Sequence, residues 1–171
     1  GNWFNRQGCA EKIKVMPDGK IPQVLITSCG LNGGPLEGKG EYPAYIACNI
    51  FNNDSPCVYM KYDAPQITQD GKDGDRLLGH IANVQDGYTF GFKYFDFKDV
   101  KSVSITTRGY VYGKYEIRTK WDGPILATIT PVGTNIWKTY TSDISIPDGV
   151  GELYFTFKGS GTHHFKGFAL N

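Results

Sequence analysis

Gly79-His80-Ile81-Ala82-Asn83-Val84-Gln85-Asp86-Gly87-Tyr88-Thr89-Phe90-Gly91-Phe92-Lys93-Tyr94-Phe95-Asp96-Phe97 reads as a glycine-rich turn followed by a strand with a ring at every second position. Side chains on a strand alternate between two faces, so Tyr88, Phe90, Phe92 and Tyr94 are expected on one side of a sheet. Phe95 and Phe97 break that parity, which predicts a bulge that re-aims the strand end. A strand this aromatic belongs in the core of an all-β domain.

Short strands recur on either side of it. Tyr45 to Ile50, Cys57 to Lys61, Val103 to Thr107, Tyr115 to Thr119, Ile125 to Ile129, Trp137 to Thr141 and Leu153 to Phe157 all read as strands, and no stretch reads as a convincing helix. Tyr115, Ile117 and Thr119 alternate with Glu116, Arg118 and Lys120, and Leu153, Phe155 and Phe157 alternate with Tyr154, Thr156 and Lys158. One packed face and one wet face is the pattern of antiparallel sheets, and short strands with glycine-rich turns predict an antiparallel β-sandwich of the jelly-roll, lectin-like kind. Ahead of these strands, Ile13 to Met16 and Ile21 to Thr27 flank Pro17-Asp18-Gly19, which predicts a hairpin. Residues 29–40 carry too much glycine for a regular element and mark the boundary. The expected organisation is a β-hairpin segment with a linker over 1–36 and a sandwich over 37–171. Residues 62–78 read as a polar connection.

Composition sets limits on partners. An apolar content of 40% with 14% aromatic excludes disorder, and 171 residues suffice for one buried core. Eighteen Lys and Arg against seventeen Asp and Glu leave a charge of +1, so no bulk basic field exists to hold nucleic acid. No apolar run approaches the roughly 20 residues of a membrane span. The first residues, Gly1-Asn2-Trp3, lack an initiator Met, as in a segment of a longer protein or a processed N-terminus.

Catalytic and metal signatures are missing. The sequence holds no Gly-x-Ser-x-Gly elbow, no His-Glu-x-x-His and no phosphate loop. His163 and His164 are adjacent, so on a strand they point to opposite faces and cannot grip one ion from the same side. Asp70, Asp73 and Asp75 fail the calcium-loop spacing, because Lys72 or Leu77 falls where an oxygen ligand is needed. Asp and Glu are plentiful, but nothing marks out a facing pair of the kind glycosidases use. Cysteines at 9, 29, 48 and 57 lack zinc spacing. Cys48 and Cys57 either bridge across neighbouring strands in an oxidising compartment or remain buried free thiols.

Together with the aromatic run, Thr134-Asn135-Ile136-Trp137-Lys138-Thr139-Tyr140 and the closing run from Phe155 to Phe168 give residues 40 to 171 a resemblance to a family 6 carbohydrate-binding module. Such a resemblance implies a cleft among loops at one end of the sandwich. There an aromatic side chain and a tryptophan sandwich a sugar ring, and an Asn hydrogen-bonds it. The tryptophan position matches Trp137, the first aromatic position falls on His80, and the Asn position falls on His164. Two of the three depart from the family pattern. An imidazole can still stack or hydrogen-bond, so either the site persists in altered form or the cleft has been lost; Trp137 itself is either the stacking platform or a core residue. The structural calcium common in the family is not expected: Tyr42-Pro43-Ala44-Tyr45-Ile46-Ala47-Cys48-Asn49 carries no acid, and Lys166 stands where an oxygen ligand would be wanted. No cofactor is implied.

Residues 6–13, 21–24 and 27–30 are similar to the closing stretch of the catalytic propeller of family 43 glycoside hydrolases. The two resemblances imply a carbohydrate-binding module without activity of its own, the C-terminal part of a secreted or periplasmic hydrolase acting on xylan or arabinan. Its implied partners are a polysaccharide or oligosaccharide and the parent propeller, with no nucleic acid and no membrane. The alternatives are an accessory domain that supports the hydrolase and has no sugar site, a small hydrolase with an unmarked carboxylate pair, and a protein-interaction sandwich. A propeller strand pair left on this chain exposes apolar surface, so Trp3, Phe4, Ile13 and Val15 are expected to pack on the sandwich.

Overall fold

The structure is a computed structural model and describes residues 8–52, 63–71 and 79–171. Among these, twelve strands form two facing sheets: β1 (Leu36–Glu37), β2 (Gly40–Pro43), β3 (Asn49–Asn52), β4 (Gln66–Gln69), β5 (Gly79–Val84), β6 (Tyr88–Phe97), β7 (Val100–Gly109), β8 (Tyr112–Arg118), β9 (Ala127–Ile129), β10 (Thr134–Ile146), β11 (Gly149–Ser160) and β12 (His163–Leu170). Sheet A runs β1-β6-β11-β8-β9, with β3 pairing β6, and sheet B runs β10-β7-β12-β5-β4, with β2 pairing β12. Every pairing is antiparallel except the two-residue match of β1 with β6. The antiparallel sandwich expected from the alternation is therefore the fold.

The aromatic strand lies at the centre of sheet A. Tyr88, Phe90 and Phe92 are buried, and so are Phe95 and Phe97. Phe95 faces Gly151 while Lys93 faces Glu152, so Tyr94 is the extra residue of a β-bulge. The parity break is thus a real bulge, with one correction: Tyr94 leaves the aromatic face and is only half-buried. Phe92, Phe155 and Phe168 form the packing centre, with ring centroids 4.7 Å apart for Phe92 and Phe168 and 4.9 Å for Phe155 and Phe168. Leu153, Phe155 and Phe157 point inward as their alternation predicts. Burying such side chains contributes about 1.5–3 kcal/mol each relative to exposure.

Strand β12 repeats the device. Phe165 pairs with Thr107 and Gly167 with Thr106, which leaves Lys166 as the extra residue. His163 and Phe165 point into the core, and the bulge restores Phe168 and Leu170 to it. His163 is fully buried, and its Nε2 shares a 2.6 Å hydrogen bond with the Tyr115 hydroxyl, while its Nδ1 has no partner. Burial, helped by His164, holds its pKa down at about 4. Gly109, at φ +127°, allows this approach: a Cβ there would stand 2.8 Å from the His163 Cα.

Several elements differ from expectation. Residues 8–35 contain no strand; the turn at Pro17-Asp18-Gly19 forms, with the Gly19 N–H donating to Met16 C=O at 2.8 Å, but no ladder extends from it. Ile13 and Val15 do not pack on the sandwich and are 59% and 60% exposed; Trp3 and Phe4 lie outside the described residues. The segment is fastened at its end. Ser28 N–H donates to Lys93 C=O at 2.5 Å, and the Cys29 sulfur accepts from the bulged Tyr94 N–H at 3.2 Å. Tyr45 to Ile50 is not one strand but a 3-10 turn, Ala44–Ile46, which follows Pro43 at the end of β2, and then β3. The polar connection over 62–78 contains β4, whose alternation is hidden by its polar residues, Gln66, Thr68 and Gln69. Cys57 to Lys61 lies outside the described residues, and Cys48 is a free thiol.

Candidate functional site

His80, Trp137 and His164 are brought together by strand parity. On β5, Ile81 points into the core, so His80 points to the outer face of sheet B; on β12, His163 points in and His164 out. On β10, Thr139 and Thr141 pair their hydroxyls with Thr106 and Ser104 of β7 at 2.9 and 2.8 Å, and Trp137 is next in that outward row. The three rings meet near the end of sheet B where β7 ends and β10 and β12 begin. His80 lies 5.3 Å from Trp137 and 5.2 Å from His164, centroid to centroid, and Trp137 lies 6.4 Å from His164, all edge to face.

Two cations complete the cluster. His164 sits opposite Arg108 in the register of β12 with β7, and the Arg108 guanidinium lies 4.3 Å over the Trp137 ring. Lys166, the extra residue of the β12 bulge, has its Nζ 5.7 Å from the same ring. Asp70, just after β4, accepts two parallel hydrogen bonds from Arg108 at 3.0 and 3.1 Å. That guanidinium holds the Asp70 carboxyl below its usual range. Burial first, then the neighbouring His80 and Arg108, pushes His164 down, and its Nδ1 is buried without a partner.

The site therefore differs from an open aromatic slot. His80 is 2% exposed and floors the cluster, and Trp137 is half-buried beneath the guanidinium. Arg108 and Asp70 escaped the reading of the sequence. Extending the Val103-to-Thr107 alternation by one residue would have put Arg108 on the same wet face as Thr106, but the partner across the sheet is a long-range choice that local periodicity does not encode. No group of three or more His, Cys, Asp or Glu able to hold a metal occurs among the described residues, and the Tyr42-to-Asn49 stretch does not fit the family's calcium.

No protein-family model matches the chain. It superposes on a family 6 carbohydrate-binding module from Clostridium stercorarium, solved in complex with cellobiose, with a TM-score of 0.64 and 20% identity, over 81% of this chain and 98% of that one. The chain has the fold of a family 6 carbohydrate-binding module. A family 43 arabinoxylan arabinofuranohydrolase from Bacillus subtilis, solved with cellotetraose, superposes at a TM-score of 0.61 and 18% identity, over 94% of this chain and 33% of that one. In sequence, the chain is 52% identical over 176 residues to a xylosidase/arabinosidase of Thermoclostridium stercorarium, and the match takes in 99% of this chain and 37% of that protein. The chain thus spans little more than a third of that relative's length.

Proposed function

We propose that this chain is a non-catalytic carbohydrate-binding module, the C-terminal part of a secreted glycoside hydrolase that acts on plant polysaccharide of the xylan or arabinan type. The observation that carries the reading is the cluster of Trp137, His80 and His164 at one end of a sandwich whose fold is that of carbohydrate-binding modules. Saccharide recognition needs a flat ring with polar side chains around it, and the cluster supplies both. The xylosidase/arabinosidase name of the 52% identical relative supports the polysaccharide class. Asp70 and Glu116 lack the character of a glycosidase acid. A glycosidase acid needs a raised pKa; the Arg108 hydrogen bonds hold Asp70 down, and Glu116, which burial pushes up, is brought below its usual range by Arg118 and Lys114.

The leading partner is a catalytic domain on the same polypeptide. The sandwich from Leu36 onward makes up about four-fifths of the chain, so the 94% superposition on the arabinofuranohydrolase must include part of the first 35 residues. That agrees with a segment shared between module and hydrolase. A second reading, an accessory domain without a sugar site, draws on the guanidinium already seated on Trp137 and on the burial of His80.

Affinity electrophoresis of the chain through gels containing xylan, arabinan or β-glucan separates the two. Retardation by xylan or arabinan is the expected outcome. Trp137→Ala should abolish it while leaving the far-UV spectrum unchanged, since truncating an aromatic anchor costs about 2 kcal/mol or more in binding. Free migration in every gel would leave the accessory reading standing.

A further inference from the structure

We propose that the Trp137 cluster takes a saccharide bearing a carboxylate, a uronic-acid residue, with Arg108 and Lys166 receiving its charge. This rests on the reading of the chain as a carbohydrate-binding module and names the ligand class of that cluster.

A neutral pyranose stacks its C–H face on a bare ring, but one face of Trp137 carries a guanidinium at 4.3 Å. Lys166 adds a second cation 5.7 Å from the ring. Among the described residues the carboxylate within ion-pair distance of either cation is Asp70, which is 41% exposed at the rim. The cluster thus holds two cations against one anion, although the whole chain carries only +1. This positive character is local to the cluster.

Asp70 also displays the geometry that the cluster accepts. Its two oxygens meet the two terminal nitrogens of Arg108 at 3.0 and 3.1 Å, the fork-to-fork match of guanidinium and carboxylate. A ligand carboxylate of the same shape can take that position as Asp70 swings to solvent, with Lys166 alongside and the sugar ring against Trp137. Burial chiefly disfavours the protonated form of His164; His80 and Arg108 add to that and Asp70 opposes it. A bound anion would reverse the influence of His80 and Arg108.

The test is calorimetric titration of the full chain with a xylo-oligosaccharide carrying one glucuronic acid, and with the same oligosaccharide after its carboxyl is reduced to the alcohol. The acid form should bind about tenfold or more tightly at low salt, and the preference should shrink in high salt. Arg108→Gln should remove the preference for the acid form over the reduced one, whereas Asp70→Asn should tighten the acid form. Should Arg108→Gln fail to fold, Arg108→Lys, which keeps the charge and loses the fork, should still weaken the acid form about threefold. Equal binding of both oligosaccharides overturns the inference and leaves the binding reading intact, as does binding of neither by a chain that neutral polysaccharide gels retard. Binding of neither, with free migration in all gels, overturns both.

Discussion

Residues 8–35 and the sandwich that follows are both rich in apolar side chains, and they dispose of them in opposite ways. In the sandwich, Phe90, Phe92, Phe155, Phe157 and Phe165 are fully buried. In the first segment, Ile13, Val15, Met16, Ile21, Val24, Leu25, Ile26 and Leu31 are all exposed, eight of the fifteen large exposed hydrophobics among the described residues. Hydrophobicity alone does not make a core. The sandwich buries its rings because each strand alternates and a second sheet faces it; the first segment has the residues of a strand pair but nothing opposite. So many exposed apolar side chains in one short segment are in keeping with the proposal that this segment belongs partly to a neighbouring domain.

The largest expected effect is in the sandwich. Phe155→Ala empties a site in ring contact with Phe92, Phe165 and Phe168. It should cost about 3–5 kcal/mol in urea unfolding, and a much smaller loss would mean that the sandwich core is no better packed than the first segment. Acid should come next. His163 is neutral in the fold down to about pH 4, against an ordinary value of 6.5, because it is buried beside Tyr115. Above pH 6.5 neither state is protonated and stability is full. As pH falls from 6.5 to 4 the unfolded chain takes a proton that the folded chain refuses, so up to about 3 kcal/mol is lost, levelling off below pH 4. Urea midpoints measured across that range should show the fall, and His163→Gln should flatten it. The smallest effect belongs to the first segment: Ile13→Ser with Leu25→Ser should shift stability by about 0.5 kcal/mol or less. A loss of several kcal/mol there would show that these side chains are covered within the chain itself.

The same contrast explains what could be read from the sequence. Period-two alternation made the aromatic face of β6 legible, and the parity break at Phe95 located the bulge within a residue. Alternation also split His163 from His164, one to the core and one to the cluster. It misled where it was unsupported: Ile13 to Met16 and Ile21 to Thr27 have strand composition and a good turn, yet form no ladder. It was silent where strands are polar, as in β4. The meeting of His80, Trp137 and His164 depends on which strands neighbour one another, and the order β10-β7-β12-β5 is set by contacts between residues far apart in the chain. For that reason the placement of those three came from a family pattern, and Arg108, which has no counterpart in it, was overlooked.

The arrangement of the outermost strands bears on solubility. An unpaired strand edge is a template for another copy of the chain. On one side of sheet A, β1 and β3 sit end to end along β6, so the long aromatic strand offers no continuous row of free amides, and the opposite margin is the three-residue β9. In sheet B, β5 and β2 share one side of β12 in the same way, and β4 ends the sheet after four residues. Among the described strands this leaves β10, thirteen residues long, as the extended margin, and its register shifts between Thr134 and Lys138 and again between Asp143 and Ile146. Two interruptions and Lys138 on the longest open edge among the described strands make that edge a poor template for another copy of the chain.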